Sequence, residues 1–268
     1  MWSARRPGIA DTYAMTMQDI PLYDRPAFRR AAGSTLRPGG PELTRRALKL
    51  GEEFCGLRPG GRVLDAGCGP GTTLELCAAL GFVPMGVDLR PDSAETTQGA
   101  PFPILRADIR RLPLADACCD AVVCECVLSL LPDPETALAE ACRVLRRGGA
   151  LLLTDLYLRP AYGSEGQGNP LCSQKISLSF RDASPFPESA PPKQSCLDGA
   201  ASWPTLHERL LRQGFTVHVM EDHSRALAEL AARCIFQGQS LSDWGLPCRG
   251  GSARRFGYLL AVASKAAA

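Results

Sequence analysis

The chain has 268 residues, a length that suits one main core, since single cores stop growing near about 250–300 residues. Apolar residues make up 45% and charged residues 22%, which fits a folded globular protein and excludes disordered and fibrous classes. A net charge of +2 supplies no global positive field, so nucleic acid is not the expected partner, and the scattered arginine pairs read as solvated surface.

Taken in chain order, residues 1–42 are rich in Pro, Gly and Arg with little periodicity and read as an N-terminal arm or cap. The opening stretch lacks an apolar signal region and carries Asp11 and Asp19, which predicts neither a secretory leader nor a transit peptide and therefore a cytoplasmic protein. From Glu42 to Cys55 the positions Leu43, Ala47, Leu48, Leu50 and Phe54 have helical spacing, with Gly56 as the stop. Short β-rich and helical runs then alternate: RVLDAG, TTLELCAALG, FVPMGVDL, a polar helix near residue 91, PILRADI, DAVVCE, PETALAEACRVLRRGG and ALLLTDL. Such alternation builds a parallel sheet with helices on both faces.

A Pro-, Ser- and Gly-rich stretch at about 157–201 is too long for a simple connector and is expected to form a lid inserted into a domain spanning 43–268. A helix WPTLHERLLRQG, a strand FTVHVM, a helix around SRALAELAARCIF and a last strand FGYLLAVAS complete the chain. No apolar run approaches the roughly 20 residues of a membrane span. The twelve cysteines suit buried thiols in a reducing compartment, and neither they nor the three histidines have zinc-ligand spacing, so no metal site is expected.

The chemistry concentrates in VLDAGCGPGTT, residues 63–73, a strand-to-helix turn of the kind that faces the ligand crevice of an open parallel sheet. Gly67, Gly69 and Gly71 are expected to let backbone amides approach a ligand, with the dipole of the helix from about Thr72 pointing there too. The spacing is G-x-G-x-G rather than the dinucleotide G-x-G-x-x-G, no phosphate-loop lysine follows, and Asp65 would repel a pyrophosphate but suit an ammonium group. Asp88 ends the second strand, where a carboxylate accepts from ribose hydroxyls, and Asp108 ends the third, where it can reach an adenine amino group. Leu89 and Ile109 would supply apolar walls.

VLDAGCGPGTT, GVDL, RADIRRLPLADACCDAVV and LAEACRVLRRGGALLLTD together resemble the class I S-adenosylmethionine-dependent methyltransferases over roughly residues 63–156. The resemblance implies a Rossmann-like fold: a mostly parallel seven-stranded sheet with an antiparallel C-terminal strand. It also implies S-adenosyl-L-methionine as cofactor and in-line methyl transfer to a small-molecule acceptor. Carried over by position, Asp65, Gly67, Cys68 and Gly69 surround the methionine end, Asp88 lies on the ribose, and Asp108 with Ile109 lies at the adenine. Cys124 and Glu125 stand at the end of the fourth strand beside the cofactor. A Cys119 where the family usually has Phe departs from the pattern and suits a core role.

A narrower resemblance, of CECVLSLLPD and SCLDGAASWPTLHERLLRQGF to segments of arsenite methyltransferases, implies Cys126 and Cys196 as thiolates facing the acceptor. Thiolates suit a soft metalloid. The third cysteine of that pattern falls on Leu74, and Cys172 from the predicted lid is a possible replacement. Two other classes stay open at this level: a non-catalytic module that keeps the cofactor fold, and a nicotinamide oxidoreductase.

Overall fold

A computed structural model of the chain describes residues 23, 25–33, 36–90, 102–159, 196–238 and 256–266. Among them are six α-helices and eight strands. The helices are α1 (Pro26–Ala32), α2 (Gly40–Cys55), α3 (Thr72–Ala79), α4 (Pro134–Val144), α5 (Trp203–Arg212) and α6 (Ser224–Phe236). The strands are β1 (Arg62–Ala66), β2 (Val83–Asp88), β3 (Ile104–Arg106), β4 (Cys119–Glu125), β5 (Leu145–Leu158), β6 (Ala201–Ser202), β7 (Phe215–Asp222) and β8 (Phe256–Lys265).

The strands form one sheet in the order β3-β2-β1-β4-β5-β8-β7, with β6 beside β5. Strands β1 to β5 pair in parallel, and β8 runs antiparallel to both β5 and β7. The chain builds outward from β1 through β2 to β3, then crosses back to lay β4 on the other flank of β1. That reversal opens a crevice at the carboxyl ends of β1 and β4.

Period-two alternation divides the sheet between two cores. Val63, Val123, Leu152 and Leu260 pack with Leu43, Ala47 and Leu48 of α2 and Cys77 of α3. Their neighbours Leu64, Val122, Leu153 and Leu259 pack with Leu138 of α4 and Leu210 of α5. Because both faces are covered, the central strands read as unbroken apolar runs.

Local signals account for the helix ends. Gly56 caps α2 at φ 67°, its N–H donating to Gly51 O. Asp133 caps α4 by accepting from Thr136 N at 3.1 Å, and Ser202 caps α5 by accepting from Thr205 N at 3.3 Å.

Four differences from the sequence reading have physical causes. RRGG continues not α4 but β5, because Leu145 already pairs with Cys119 and a register shift between Cys119 and Ala121 absorbs the extra residues. Strand β3 ends at Arg106, so Asp108 lies two residues beyond it, in a turn closed by Arg111 N–H donating to Asp108 O at 2.9 Å. The sheet gains an eighth strand, the two-residue β6. Within the N-terminal region, α1 buries Phe28, Ala31 and Ala32 against Leu230 and Cys234 of α6. The predicted polar helix near residue 91 lies outside the described residues, as do most of the predicted lid and of the N-terminal arm. No helix among the described residues is long and apolar enough to cross a membrane.

Candidate active site

The glycine turn closes on itself. Gly67 N–H and Cys68 N–H both donate to Val87 O, at 2.7 and 3.1 Å, and Gly71 N–H donates to Cys68 O at 2.9 Å. Gly69 N–H donates to Asp88 Oδ2 at 2.9 Å. These four amides are therefore committed within the protein, which corrects the expectation that they meet a ligand directly. A turn built this way is a poor phosphate cradle, since anion binding at such loops depends on amides aimed outward. Its glycines serve two other ends. A Cβ on Gly67, at φ 90°, would stand 2.5 Å from Val127 Cγ2, so this glycine admits the segment after β4. Gly69, at φ 48°, has nothing within 4 Å of such a Cβ and faces open space.

Gly86 of β2 was not singled out in the sequence. A Cβ there would meet Cys68 Sγ at 2.6 Å, so the buried Cys68 thiol is seated by a glycine on the neighbouring strand.

The three acids occupy the strand tips in different ways. Asp65 is 3% exposed, and burial, aided by Glu125 and Asp88 and opposed by Arg37, pushes its carboxyl up to about 8. Asp88 is half-buried and fastens the turn, accepting also from Arg90 N–H at 2.8 Å. Asp108 is gripped by Arg110, whose Nη2 lies 2.7 Å and Nε 3.1 Å from Oδ2, and that hydrogen bonding holds the carboxyl below its ordinary range. Leu89 is exposed. Ile109 and Cys124 instead line an apolar cavity under α4 together with Ala66 and Leu128.

The β4 and β5 tips carry a buried network that sequence reasoning missed apart from Glu125 itself. Glu125 Oε1 accepts from Thr44 Oγ1 at 2.8 Å, and Oε2 accepts from Thr73 Oγ1 at 2.9 Å and pairs with Arg37 Nη2 at 2.8 Å. Arg37 Nη2 also donates to Thr44 Oγ1. Burial works against the Arg37 charge, yet Glu125, Tyr258, Asp65 and Cys126 hold its pKa above the ordinary value. Beside this network, buried Asp155 accepts from Ser129 N–H at 2.9 Å and from Leu156 N–H at 2.7 Å. These bonds pin the short 3-10 turn Leu128–Leu130 to β5. Burial nonetheless lifts Asp155 to about 6. The polar pair Thr154-Asp155 closing an apolar run was the available signal; Arg37 gave none.

Cys126 follows β4 in a left-handed conformation, φ 58°, that few non-glycine residues adopt. Its N–H donates to Thr154 O at 2.8 Å, and its Sγ lies 3.1 Å from Tyr258 Oη, which donates to Thr154 Oγ1 at 3.0 Å. Cys196 opens a second 3-10 turn, Cys196–Gly199, that packs beside the first. The fold thus brings the two cysteine segments together, and burial, Asp155 and the neighbouring Cys196 push the Cys126 thiol well up. Leu74 and Cys77 are fully buried, Cys77 in the core cluster against which Cys126 and Cys196 also pack, and Cys172 lies outside the described residues. Among the described residues no cluster of three or more His, Cys, Asp or Glu is placed to hold a metal ion.

Comparison with known proteins points to a methyltransferase domain. Residues 64–153 match the model of a methyltransferase domain. Malonyl-(acyl-carrier protein) O-methyltransferase of Serratia marcescens is 37% identical over 136 residues, 48% of this chain and 51% of that protein. Arsenite methyltransferase of Aquipseudomonas alcaligenes is 28% identical over 210 residues, 71% of this chain and 55% of that protein. The chain thus spans about half the length of these curated relatives.

Two solved structures share the fold. The cyclase SpnF superposes with a TM-score of 0.63 at 21% identity, covering 95% of this chain and 98% of that one. Phosphoethanolamine N-methyltransferase 2 of Haemonchus contortus, in complex with S-adenosyl-L-methionine, gives 0.59 at 16% identity, covering 95% and 61%. The matched residues 64–153, the strand order and these structural neighbours together support a Rossmann-like, S-adenosylmethionine-dependent methyltransferase domain in this chain.

Proposed function

We propose that the crevice at the carboxyl ends of β1 to β4 binds S-adenosyl-L-methionine and directs its methyl group to a small-molecule acceptor entering beside Cys126. The observation that carries this reading is the electrostatic character of the turn: a buried Asp65 beside amides that are already committed. Such a site suits an ammonium and a sulfonium and disfavours a pyrophosphate, which argues against a nicotinamide enzyme. The residues fit the group, with Asp65 toward the amino-acid end, Asp88 toward the ribose and Asp108 toward the adenine, Gly69 leaving room above the turn. When bound, the cofactor supplies an activated methyl; the protein's part is to hold the acceptor in line and keep water out.

Calorimetry with S-adenosylmethionine and its product S-adenosylhomocysteine tests the binding step, and transfer of labelled methyl to a panel of acceptors tests turnover. Binding without any transfer would favour a non-catalytic module, and absence of binding to folded protein would remove the proposal. One structural neighbour is named a cyclase, so the fold alone does not fix the reaction.

A second reading, methylation of a thiolate-held metalloid, is favoured by the meeting of the Cys126 and Cys196 segments and by the similarity to an arsenite methyltransferase. On that reading Cys126→Ser abolishes transfer to trivalent arsenic while leaving cofactor affinity nearly unchanged. The ten described cysteines are all free thiols, in keeping with a reducing compartment such as the cytoplasm.

A further inference from the structure

We propose that Cys118 and Cys119 form a two-thiol chelating site for a thiophilic trivalent metalloid carrying one organic substituent, at the end of the sheet opposite the crevice. Their sulfurs lie 3.6 Å apart. Successive side chains of a regular strand point to opposite faces, so neighbouring cysteines do not ordinarily meet. Here the backbone is irregular on both sides of the pair. Ala117, just before it, is left-handed at φ 51°, and its N–H donates to Arg143 O of α4 at 3.0 Å. Just after it, the pairing of β4 with β5 shifts register between Cys119 and Ala121. Cys118 therefore stands outside the pleat of β4, which begins at Cys119, and the two thiols can meet.

The separation suits a bridging atom better than a disulfide. A disulfide would require the sulfurs to close to about 2.05 Å. A soft centre bonded to each sulfur at about 2.3 Å, as zinc is, spans 3.6 Å at an angle of about 100°. The number of ligands then narrows the class. Among the described residues no group of three or more His, Cys, Asp or Glu is placed to hold a metal ion, so zinc, which fills four positions, does not fit. A metalloid that brings its own substituent and needs two sulfurs does, and thiolates suit its softness. Cys119 is 2% exposed and Cys118 is half-buried, so an entering group meets Cys118 first. From Cys119 the strand runs to Glu125 over a distance of about 20 Å. The pair is thus separate from Cys126, and the proposal does not depend on the cofactor reading.

With an organoarsenic(III) oxide the step is a condensation. Two S–H bonds break, two S–As bonds form, and the oxide oxygen leaves as water with both protons, arsenic staying trivalent. Because the second thiol is held beside the first, the second bond closes within one molecule and a free monothiol competes poorly.

The test adds phenylarsine oxide to the reduced full chain, washes with excess glutathione, and counts the phenylarsenic groups retained by intact-protein mass spectrometry. Cys118→Ser is expected to retain one group fewer than the wild type, and the free dithiol 2,3-dimercaptopropanol should strip that group from the wild type. Cys119→Ala removes the other sulfur, should show the same loss, and supplies the comparison if the serine variant does not fold. Equal retention by the wild type and both variants would overturn the proposal. So would a loss in Cys126→Ser with none in Cys118→Ser, which would put the arsenical at the crevice, or a wild type from which glutathione removes every group.

Discussion

The two halves of the crevice are built differently. At the β1–β3 tips the acids are held by short-range contacts: Asp88 accepts from Gly69 and Arg90, and Asp108 is gripped by Arg110 two residues on. At the β4–β5 tips the partners are far apart in sequence. Glu125 meets Arg37, Thr44 and Thr73, and Cys126 meets Tyr258 across 132 positions. In the first half the partners lie near in sequence or on the adjacent strand, whereas in the second they come from elements far apart in the chain. On the proposed reading, cofactor recognition would fall mainly on the first half and the acceptor side on the second.

The largest expected effect concerns Asp65, the buried member of the local half. Its native carboxyl, raised to about 8 against 3.8 for an ordinary aspartate, binds a proton that the unfolded chain has lost, so its contribution to stability is full below about 4 and is lost as pH rises toward 8. Urea unfolding across that window should show the decline, and Asp65→Asn should flatten it while weakening cofactor binding. Binding of the cofactor's ammonium should release up to one proton near neutral pH, read as a dependence of the calorimetric enthalpy on buffer. No such dependence would mean that Asp65 is already ionised or does not face the ligand.

The long-range half breaks most sharply at Glu125. Glu125→Ala leaves Arg37 buried without its carboxylate, for which the usual cost is about 3–5 kcal/mol in unfolding free energy. A loss below about 1 kcal/mol would show that the network is dispensable for folding.

A paired test on the glycine turn comes next. Gly67→Ala puts a Cβ 2.5 Å from Val127 Cγ2 at φ 90° and should destabilise by about 1–3 kcal/mol through overpacking and backbone strain. Gly69→Ala meets open space and should cost less stability but more cofactor affinity. Equal behaviour of the two would contradict the separate roles given them here. The smallest effect is that of Tyr258→Phe, which removes the hydroxyl between Cys126 and Thr154 and should cost about 1 kcal/mol.

The alternating apolar runs and the turn signals made the sheet and its two layers readable in advance. They could be read because strand period, helix caps and positive-φ glycines act over a few residues. The use of the turn's amides could not, since it depends on which backbone groups Val87 and Asp88 claim after β2 has paired with β1. Nor could the sorting of Cys124 into the core and Cys126 toward Tyr258, which turns on a single left-handed residue at the end of β4. Sequence alone thus determined the fold class and pointed to the strand ends at which the cofactor is proposed to sit. Only the tertiary structure decided that Arg37, from a segment without periodicity, lies buried among acids contributed by distant strands, because a charge is placed there by many long-range contacts that leave no local pattern.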